Sequence, residues 1–317
     1  MKEMCIGVIG QGFVGGSLTT VFSERGVGVY AYDKSGKYAD GALEYLGWQS
    51  AAGFPDSVSE LILDTEGGNK FTNVYFVCLP TPMRKDGSAD LSIVEGVLDE
   101  MSSIPGTKIA VIKSTVPPGS TENWNKKFAK TDLKIVFCPE FLTEANALED
   151  MRNQDRIILG GEKKYTQVVK QIFDFAFPGV PVFETSSTNA ELVKYFQNVH
   201  LAVKVSLANE FYQISNALVA NGFDADYNEA ISYAKLDKRL GTSHWQVPGP
   251  MPADDTGLRA LGWAGSCFIK DINALMFQSR QLGVDPKVMS GAWEKNLEVR
   301  PQRDWEKLKG RAVSEEK

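Results

Sequence analysis

The run Gly10-Gln11-Gly12-Phe13-Val14-Gly15 constrains the fold of this chain more than any other segment. It follows the apolar stretch Cys5–Ile9 immediately and precedes the helix-forming stretch Ser17–Glu24. A strand, a tight glycine turn and a helix, in that order, form the opening βα unit of a parallel sheet. Glycines in such a turn let the backbone approach a pyrophosphate at the helix N-terminus, where unpaired N–H groups favour an anion. Gln11, Phe13 and Val14 complete this predicted cofactor loop. A second apolar run, Val27–Tyr32, leads into Asp33, placed about 20 residues after the glycines as the pattern requires. A carboxylate there suits the ribose hydroxyls of an adenosine and repels a 2′-phosphate, which predicts NAD rather than NADP. Glycines that merely pack tightly are the competing explanation, and the strand–turn–helix context disfavours it.

Further apolar runs at Val74–Leu79, Ile109–Ile112, Ile135–Cys138, Ile157–Leu159 and Val180–Phe183 read as strands. Helical stretches such as Ser92–Met101 and Tyr165–Phe175 separate several of them. Alternation of this kind predicts a parallel sheet covered on both faces. The pattern changes after Ser187. Thr188-Asn189-Ala190-Glu191 has the form of a capping box. Leu192, Phe196, Val199, Val203, Leu207, Phe211, Ile214 and Leu218 then recur at helical spacing until Asn221-Gly222. A helix of about 33 residues, nearly three times the usual length, bridges domains or lines an oligomer interface. The chain after it reads as helical, apart from a Pro/Gly-rich loop over 241–257. The fold class expected is α/β: an N-terminal Rossmann-like sheet over 1–187, then the long helix and a helical substrate and dimerisation domain over 188–309, then a tail over 310–317. A chain of 317 residues suits two such domains.

A formal charge of −6 argues against a nucleic-acid partner. No apolar run approaches the roughly 20 residues that span a bilayer, so no membrane partner is expected. Met1-Lys2-Glu3 leads directly into a short strand, which leaves no room for a signal segment. The four cysteines show no C-x-x-C spacing and form no disulfide framework, so no metal is expected and a cytoplasmic protein is.

Cys267 differs from the other three cysteines. Cys5, Cys78 and Cys138 lie in apolar strand-like runs, where thiols behave as small hydrophobes. Cys267 follows Gly265-Ser266 at a predicted helix start, an exposed position where backbone N–H groups favour the thiolate. Asp271 falls at i+4 on the same face, and Lys270 adds a nearby positive charge. Thr81 and the stretch Ser114-Thr115-Val116-Pro117-Pro118-Gly119 occupy strand ends, where α/β sheets bind ligands, though ordinary loops also sit there. Lys194 and Asn198 are i,i+4 on the long helix and, on spacing alone, read first as a solvated face. Glu140 and Glu144 follow a strand and fit either acid–base work or simple exposure. His200, within the long helix, reads as structural; with His244 the only other histidine, a histidine-based dehydrogenase is disfavoured.

Taken in order, these residues resemble the UDP-glucose/GDP-mannose 6-dehydrogenase family over nearly the whole chain. The matching positions are Gly10–Gly15, Thr81-Pro82, Ser114-Thr115-Val116-Pro117, Pro139-Glu140-Phe141-Leu142-x-Glu144 and Asp155-Arg156-Ile157. They continue with Ala190-Glu191-Leu192-x-Lys194-x-x-x-Asn198, Asp237-Lys238-Arg239-Leu240-Gly241 and Gly265-Ser266-Cys267-Phe268-x-Lys270-Asp271. The resemblance implies oxidation of a sugar C6 alcohol to a carboxylate in two hydride transfers, with NAD as cofactor and UDP-glucose the leading substrate. It implies that Cys267 attacks the intermediate aldehyde, giving a thiohemiacetal and then a thioester. Lys194 and Asn198 then stabilise the C6 oxygen, and Asp271, Glu140 and Thr115 complete the catalytic set. Thr81, Thr115, Glu144 and Lys270 contact NAD by the same resemblance. Phe141, Leu142, Ala264 and Arg239 join Glu140, Lys194, Asn198 and Cys267 around the substrate, Arg239 reaching the neighbouring subunit of a homodimer built on the long helix.

Two departures stand out. Ala264 puts a methyl where the family has glycine, and the chain ends about where the family's third domain begins, so the grip on the nucleotide is expected to fall to the loop 245–260 and the partner subunit. Two other readings remain open: a catalytically weak regulatory subunit pairing with a full-length relative, and a two-electron 3-hydroxyacid dehydrogenase, which has no need of Cys267.

Overall fold

A computed structural model describes residues 4–36, 55–67, 73–250 and 260–315. The chain divides into two compact units, Met1–Thr81 with Leu91–Lys194, and Pro82–Asp90 with Tyr195–Lys317. By this division the first unit ends at Lys194, the eighth residue of the long helix, and the segment 82–90 groups with the second unit.

Among the described residues the first unit contains a sheet of seven strands: β1 (Cys5–Ile9), β2 (Gly28–Tyr32), β3 (Val74–Val77), β4 (Lys108–Ile112), β5 (Leu133–Phe137), β6 (Ile157–Gly160) and β7 (Val182–Thr185), in the order β2-β1-β3-β4-β5-β6-β7. The helices α1 (Phe13–Glu24), α2 (Val58–Gly67), α3 (Ser92–Ser102), α4 (Ser120–Lys127), α5 (Ala147–Arg152) and α6 (Lys163–Ala176) connect them. Successive side chains of a strand face opposite ways, and here both faces are apolar. In β4, Ile109 and Val111 enter one core while Ala110 and Ile112 enter the other. The first core centres on Phe22, Phe76, Phe173 and Phe177, whose ring centroids lie 5.4 to 6.2 Å apart. Truncating such a buried ring to alanine costs about 3–5 kcal/mol.

Two expectations need correction. The sheet is not wholly parallel, because β6 runs antiparallel to β5, through Phe137 and Gly160, and carries β7 parallel to itself. The chain between β5 and β6 holds only a 3₁₀ turn at Glu144–Asn146 and the six-residue α5. It has no long helix to carry it back across the sheet, as a parallel return requires.

The capping box at Thr188 does not form either. The long helix, α7 (Ser187–Ala220), is capped by Ser186, whose Oγ accepts from the Asn189 N–H at 3.2 Å. Thr188 Oγ1 donates to Glu122 instead, at 2.7 Å. Glu191 is fully buried, and its two carboxylate oxygens accept from the N–H groups of Gly119 (2.6 Å) and Thr121 (2.9 Å). It thereby caps α4, whose own N-cap is Gly119 and offers no side-chain acceptor.

The second unit contains the remainder of α7 with α8 (Tyr227–Ala234), α9 (Cys267–Gln281) and α10 (Lys287–Val299). Tyr195, Val199, Ala202 and Val205 of α7 pack with Trp263, Ile269, Ile272 and Trp305. Residues 310–315, expected as a tail, lie against the segment 82–90: Met83 N–H donates to Ala312 O at 2.9 Å, and Ser314 N–H to Met83 O at 2.8 Å. Ala312 is fully buried. No described helix is long and apolar enough to cross a membrane.

Burial lifts the Glu191 carboxyl from its ordinary 4.5 to about 7, against the hydrogen bonds from Thr121 and Gly119 that favour its charge. The folded chain thus retains a proton that the unfolded chain releases. The stabilisation tied to that proton is fully present below pH 4.5 and lost as pH rises through 7, by at most about 3 kcal/mol. Thermal unfolding of wild type and Glu191→Gln across this range should show the wild-type advantage shrinking as pH rises. A constant difference would contradict the buried cap.

Candidate active site

The glycine loop begins where β1 ends. Gly10 has φ +89°, and a Cβ on it would lie 2.6 Å from the Cys78 carbonyl oxygen. A Cβ on Gly15 would overlap the Gly10 carbonyl itself. Gly12 differs: nothing lies within 4 Å of where its Cβ would be. It is also the N-cap of α1, without a side-chain cap and without an acidic residue in the first turn. An open space beside uncapped helix N–H groups fits an anionic pyrophosphate. Gln11 N–H donates to Asp33 Oδ2 at 2.7 Å, so the loop holds the carboxylate that follows β2. Ser35 N–H takes the other oxygen at 2.8 Å. The Gln11 side chain is buried on Thr19, leaving its backbone to form the loop, while Phe13 is exposed and Val14 half-buried.

Neighbouring strand ends carry the next set. Val77, Ile112 and Phe137 are in register across β3, β4 and β5, so Cys78, Lys113 and Cys138 leave the sheet side by side. Buried Thr81 donates through Oγ1 to the Thr115 carbonyl at 2.7 Å, joining two predicted cofactor residues. Glu140 is held at three points. Its Oε2 lies 2.9 Å from Lys113 Nζ, its Oε1 accepts from Phe141 N–H at 2.7 Å, and its carbonyl accepts from Lys194 Nζ. The Phe141 ring lies below Arg156 at 4.4 Å and 5.7 Å from Lys194 Nζ. Leu142 packs on the first core, and Glu144 is exposed on its short turn. Burial pushes the Cys78 thiol up to about 12 and raises Cys138, in each case against the opposing Lys113 charge. Burial also opposes the Lys113 ammonium, but Cys138 and the ion-paired Glu140 carboxylate beside it hold this lysine above the usual range.

In the second unit, Asn198 Nδ2 donates to Asp271 Oδ2 at 2.6 Å, and Lys270 Nζ lies 2.6 Å from Asp271 Oδ1. Asp271 is 1 % exposed, whereas Cys267, one turn earlier, is exposed at the first residue of α9. The backbone leading to Cys267 is stapled by buried side chains. Asn209 Oδ1 accepts from Gly262 N–H at 3.0 Å, Asn296 Oδ1 from Trp263 N–H at 2.7 Å, and the Arg300 guanidinium donates to Leu261 O at 3.0 Å. Ala264 is half-buried beyond them. His244 stacks on Phe268 at 5.9 Å, and burial and the charge of Lys204 lower its pKa; His200 is exposed on α7. Arg239 is exposed and bonded to Asp237, with Nε 2.9 Å from Oδ1. Residues 251–259 of the loop expected to grip the nucleotide lie outside the described residues.

Residues 57–176 match the NAD binding domain, and residues 188–298 the central domain, of the UDP-glucose/GDP-mannose dehydrogenase family. The chain belongs to that family. NAD is its cofactor, in keeping with the fit of the glycine loop. Among similar proteins, YtcA of Bacillus subtilis (strain 168) is 31% identical over 296 residues, spanning 88% of this chain and 64% of its own. The UDP-glucose 6-dehydrogenase AglM of Haloferax volcanii is 28% identical over 335 residues, spanning 97% of this chain and 73% of its own. The solved structure of a UDP-glucose dehydrogenase from Pyrobaculum islandicum superposes with a TM-score of 0.76 at 29% identity, covering 93% of this chain and 68% of that one.

Polar contacts thus join Thr81 with Thr115, Glu140 with Lys194, and Asn198 with Asp271 and Lys270; Glu144 and Arg239 are exposed. Sequence reasoning missed Lys113, Asn209, Asn296 and Arg300. For Lys113 a signal existed, since a lysine ends the apolar run Ile109–Ile112 directly before Ser114-Thr115. The glycines of the loop separate two roles that can be tested. Gly12→Ala should leave the unfolding midpoint within a few degrees yet weaken NAD binding at least tenfold (about 1.4 kcal/mol). Gly15→Ala should lower the midpoint itself. Equal NAD titrations for wild type and Gly12→Ala would exclude the open cradle as the cofactor site.

Proposed function

We propose that this chain oxidises a nucleotide sugar, UDP-glucose foremost, at C6 to the uronate through a covalent intermediate on Cys267. The observation that carries this reading is the exposure of Cys267, alone among the four cysteines, at the start of α9 and one turn before buried Asp271. NAD held by the glycine loop, and exchanged for a second NAD between the two oxidations, would supply the hydride acceptor. Cys267 adds to the C6 aldehyde, and the resulting thiohemiacetal becomes a thioester that water cleaves. Lys194 and Asn198, four residues apart on α7, stabilise the C6 oxygen as charge develops. Asp271 and Glu140 handle protons, and Thr115 belongs to the same catalytic set. Thr81, Thr115, Glu144 and Lys270 contact the cofactor, and Phe141, Leu142, Ala264 and Arg239 the substrate.

Each substrate should yield two NADH. A yield of one would favour a two-electron hydroxyacid-type oxidation, and none a regulatory subunit. Cys267→Ser should bind NAD and sugar nucleotide but lose uronate formation, because serine is a far weaker nucleophile at neutral pH. Mass spectrometry during turnover should find the substrate adduct on Cys267 and not on Cys5, Cys78 or Cys138. Near-normal uronate formation by Cys267→Ser would remove the covalent mechanism.

We further infer a homodimer through α7. Phe196 (60 %), Leu207 (42 %), Phe211 (41 %), Ile214 (52 %) and Leu218 (41 %) are exposed at helical spacing, which is too much apolar surface to leave in water. Arg239 then serves the neighbouring subunit. Phe211→Glu with Ile214→Glu should give a monomer of reduced activity in light scattering and assay; a fully active monomer would contradict the dimer.

A further inference from the structure

We propose that Lys113 is a positioning residue whose buried ammonium keeps the Glu140 carboxylate ionised and fixed in orientation, so that Glu140 acts as a hydrogen-bond acceptor across the working pH range. The inference rests on the reading of Glu140 as part of the reacting site. It starts from the geometry: Lys113 Nζ lies 2.9 Å from Glu140 Oε2, with the two side chains 4% and 13% exposed. The same ammonium lies 3.4 Å from the Pro139 carbonyl oxygen and 3.4 Å from Cys138 Sγ. One lysine at the end of β4 therefore fastens the turn Cys138-Pro139-Glu140 as well as the carboxylate that the turn presents.

The charged and titratable groups around this pair give Lys113 a single ionised partner. Cys78, from the end of β3, and Cys138, from the end of β5, flank it, and burial keeps both thiols protonated. Lys194, from α7, donates to the Glu140 carbonyl. Arg156 lies over the Phe141 ring. The remaining bond to the carboxylate, from Phe141 N–H at 2.7 Å, comes from the adjoining residue. A carboxylate buried to this degree protonates unless a positive partner offsets its desolvation. Lys113 is that partner. A carboxylate held in this way presents its oxygens in one orientation, suited to accepting from a water or a hydroxyl.

The test is an NMR pH titration of the full chain with carboxyl-labelled glutamate, the Glu140 resonance being assigned by its loss in Glu140→Gln. Lys113→Met should raise the Glu140 midpoint by more than one unit, and Lys113→Arg should bring it back toward wild type. The acid limb of kcat in Lys113→Met should move up with that midpoint, so that its loss of rate is larger at pH 6 than at pH 9. Should Lys113→Met not fold, Glu140→Gln provides the reciprocal measurement: the Lys113 ammonium should titrate at least one unit lower than in wild type, since burial then acts unopposed. An unmoved Glu140 midpoint in folded Lys113→Met, or an unmoved Lys113 midpoint in Glu140→Gln, overturns the proposal. An acid limb that stays in place while the Glu140 midpoint moves overturns it as well. Failure of the functional reading is distinguishable: wild type would then form no NADH from any nucleotide sugar, while the linked midpoints still shift.

Discussion

Parallel pairing of β1, β3, β4 and β5 is the constraint from which the first half of the site follows. In-register parallel strands end together, and here each ending delivers a functional segment to one edge of the sheet: Gly10 after β1, Cys78 to Thr81 after β3, Lys113 to Thr115 after β4, Cys138 to Glu140 after β5. None of these segments needs a device of its own to find the others. The hydrogen bonds that satisfy the strand backbones align them, and only short side-chain ties remain to be made, such as Thr81 to Thr115 and Lys113 to Glu140.

The second unit reaches order by a different route. Residues 260–266, just before Cys267, belong to no helix or strand, so their backbone groups would be left unpaired once buried. Asn209, Asn296 and Arg300 supply the missing partners from helices or helix ends remote in sequence. Asn296 is fully buried and bonds both the N–H and the carbonyl of Trp263, acting as a peptide group would. A buried polar network of this kind is favourable only when every member is satisfied. That makes the approach to the cysteine rigid while the thiol itself stays exposed.

Much of this was legible in the sequence, for reasons specific to each element. Apolar runs bounded by polar turns marked all seven strands, because a sheet buried on both faces demands them. The long helix was legible because its apolar residues keep helical spacing for more than twenty residues (Leu192 to Leu218). Direction was not: an apolar run carries no polarity, so the reversal at β6 could not be read from it. Glu191 was misassigned because a local pattern cannot say which helix N-terminus a carboxylate will cap. Lys113 and the three polar staples escaped notice because the partners that matter here lie 25 to 53 residues away, beyond any local motif. Cys267 was found because small, glycine-rich neighbours set it apart from thiols in apolar strands.

The buried bond from Glu191 to the start of α4 also works as an angular index. A helix is free to turn about its own axis unless something fixes its azimuth, and each residue advances it by about 100°. Glu191, Lys194 and Asn198 are spaced i, i+3 and i+7, so they share one face of α7. A carboxylate that is locked to two backbone amides on another element therefore sets the rotational phase of this part of α7 against the sheet domain, Lys194 included. Slipping by one residue would swing Lys194 from the Glu140 carbonyl, which makes the aim of that side chain a property of one hidden anchor.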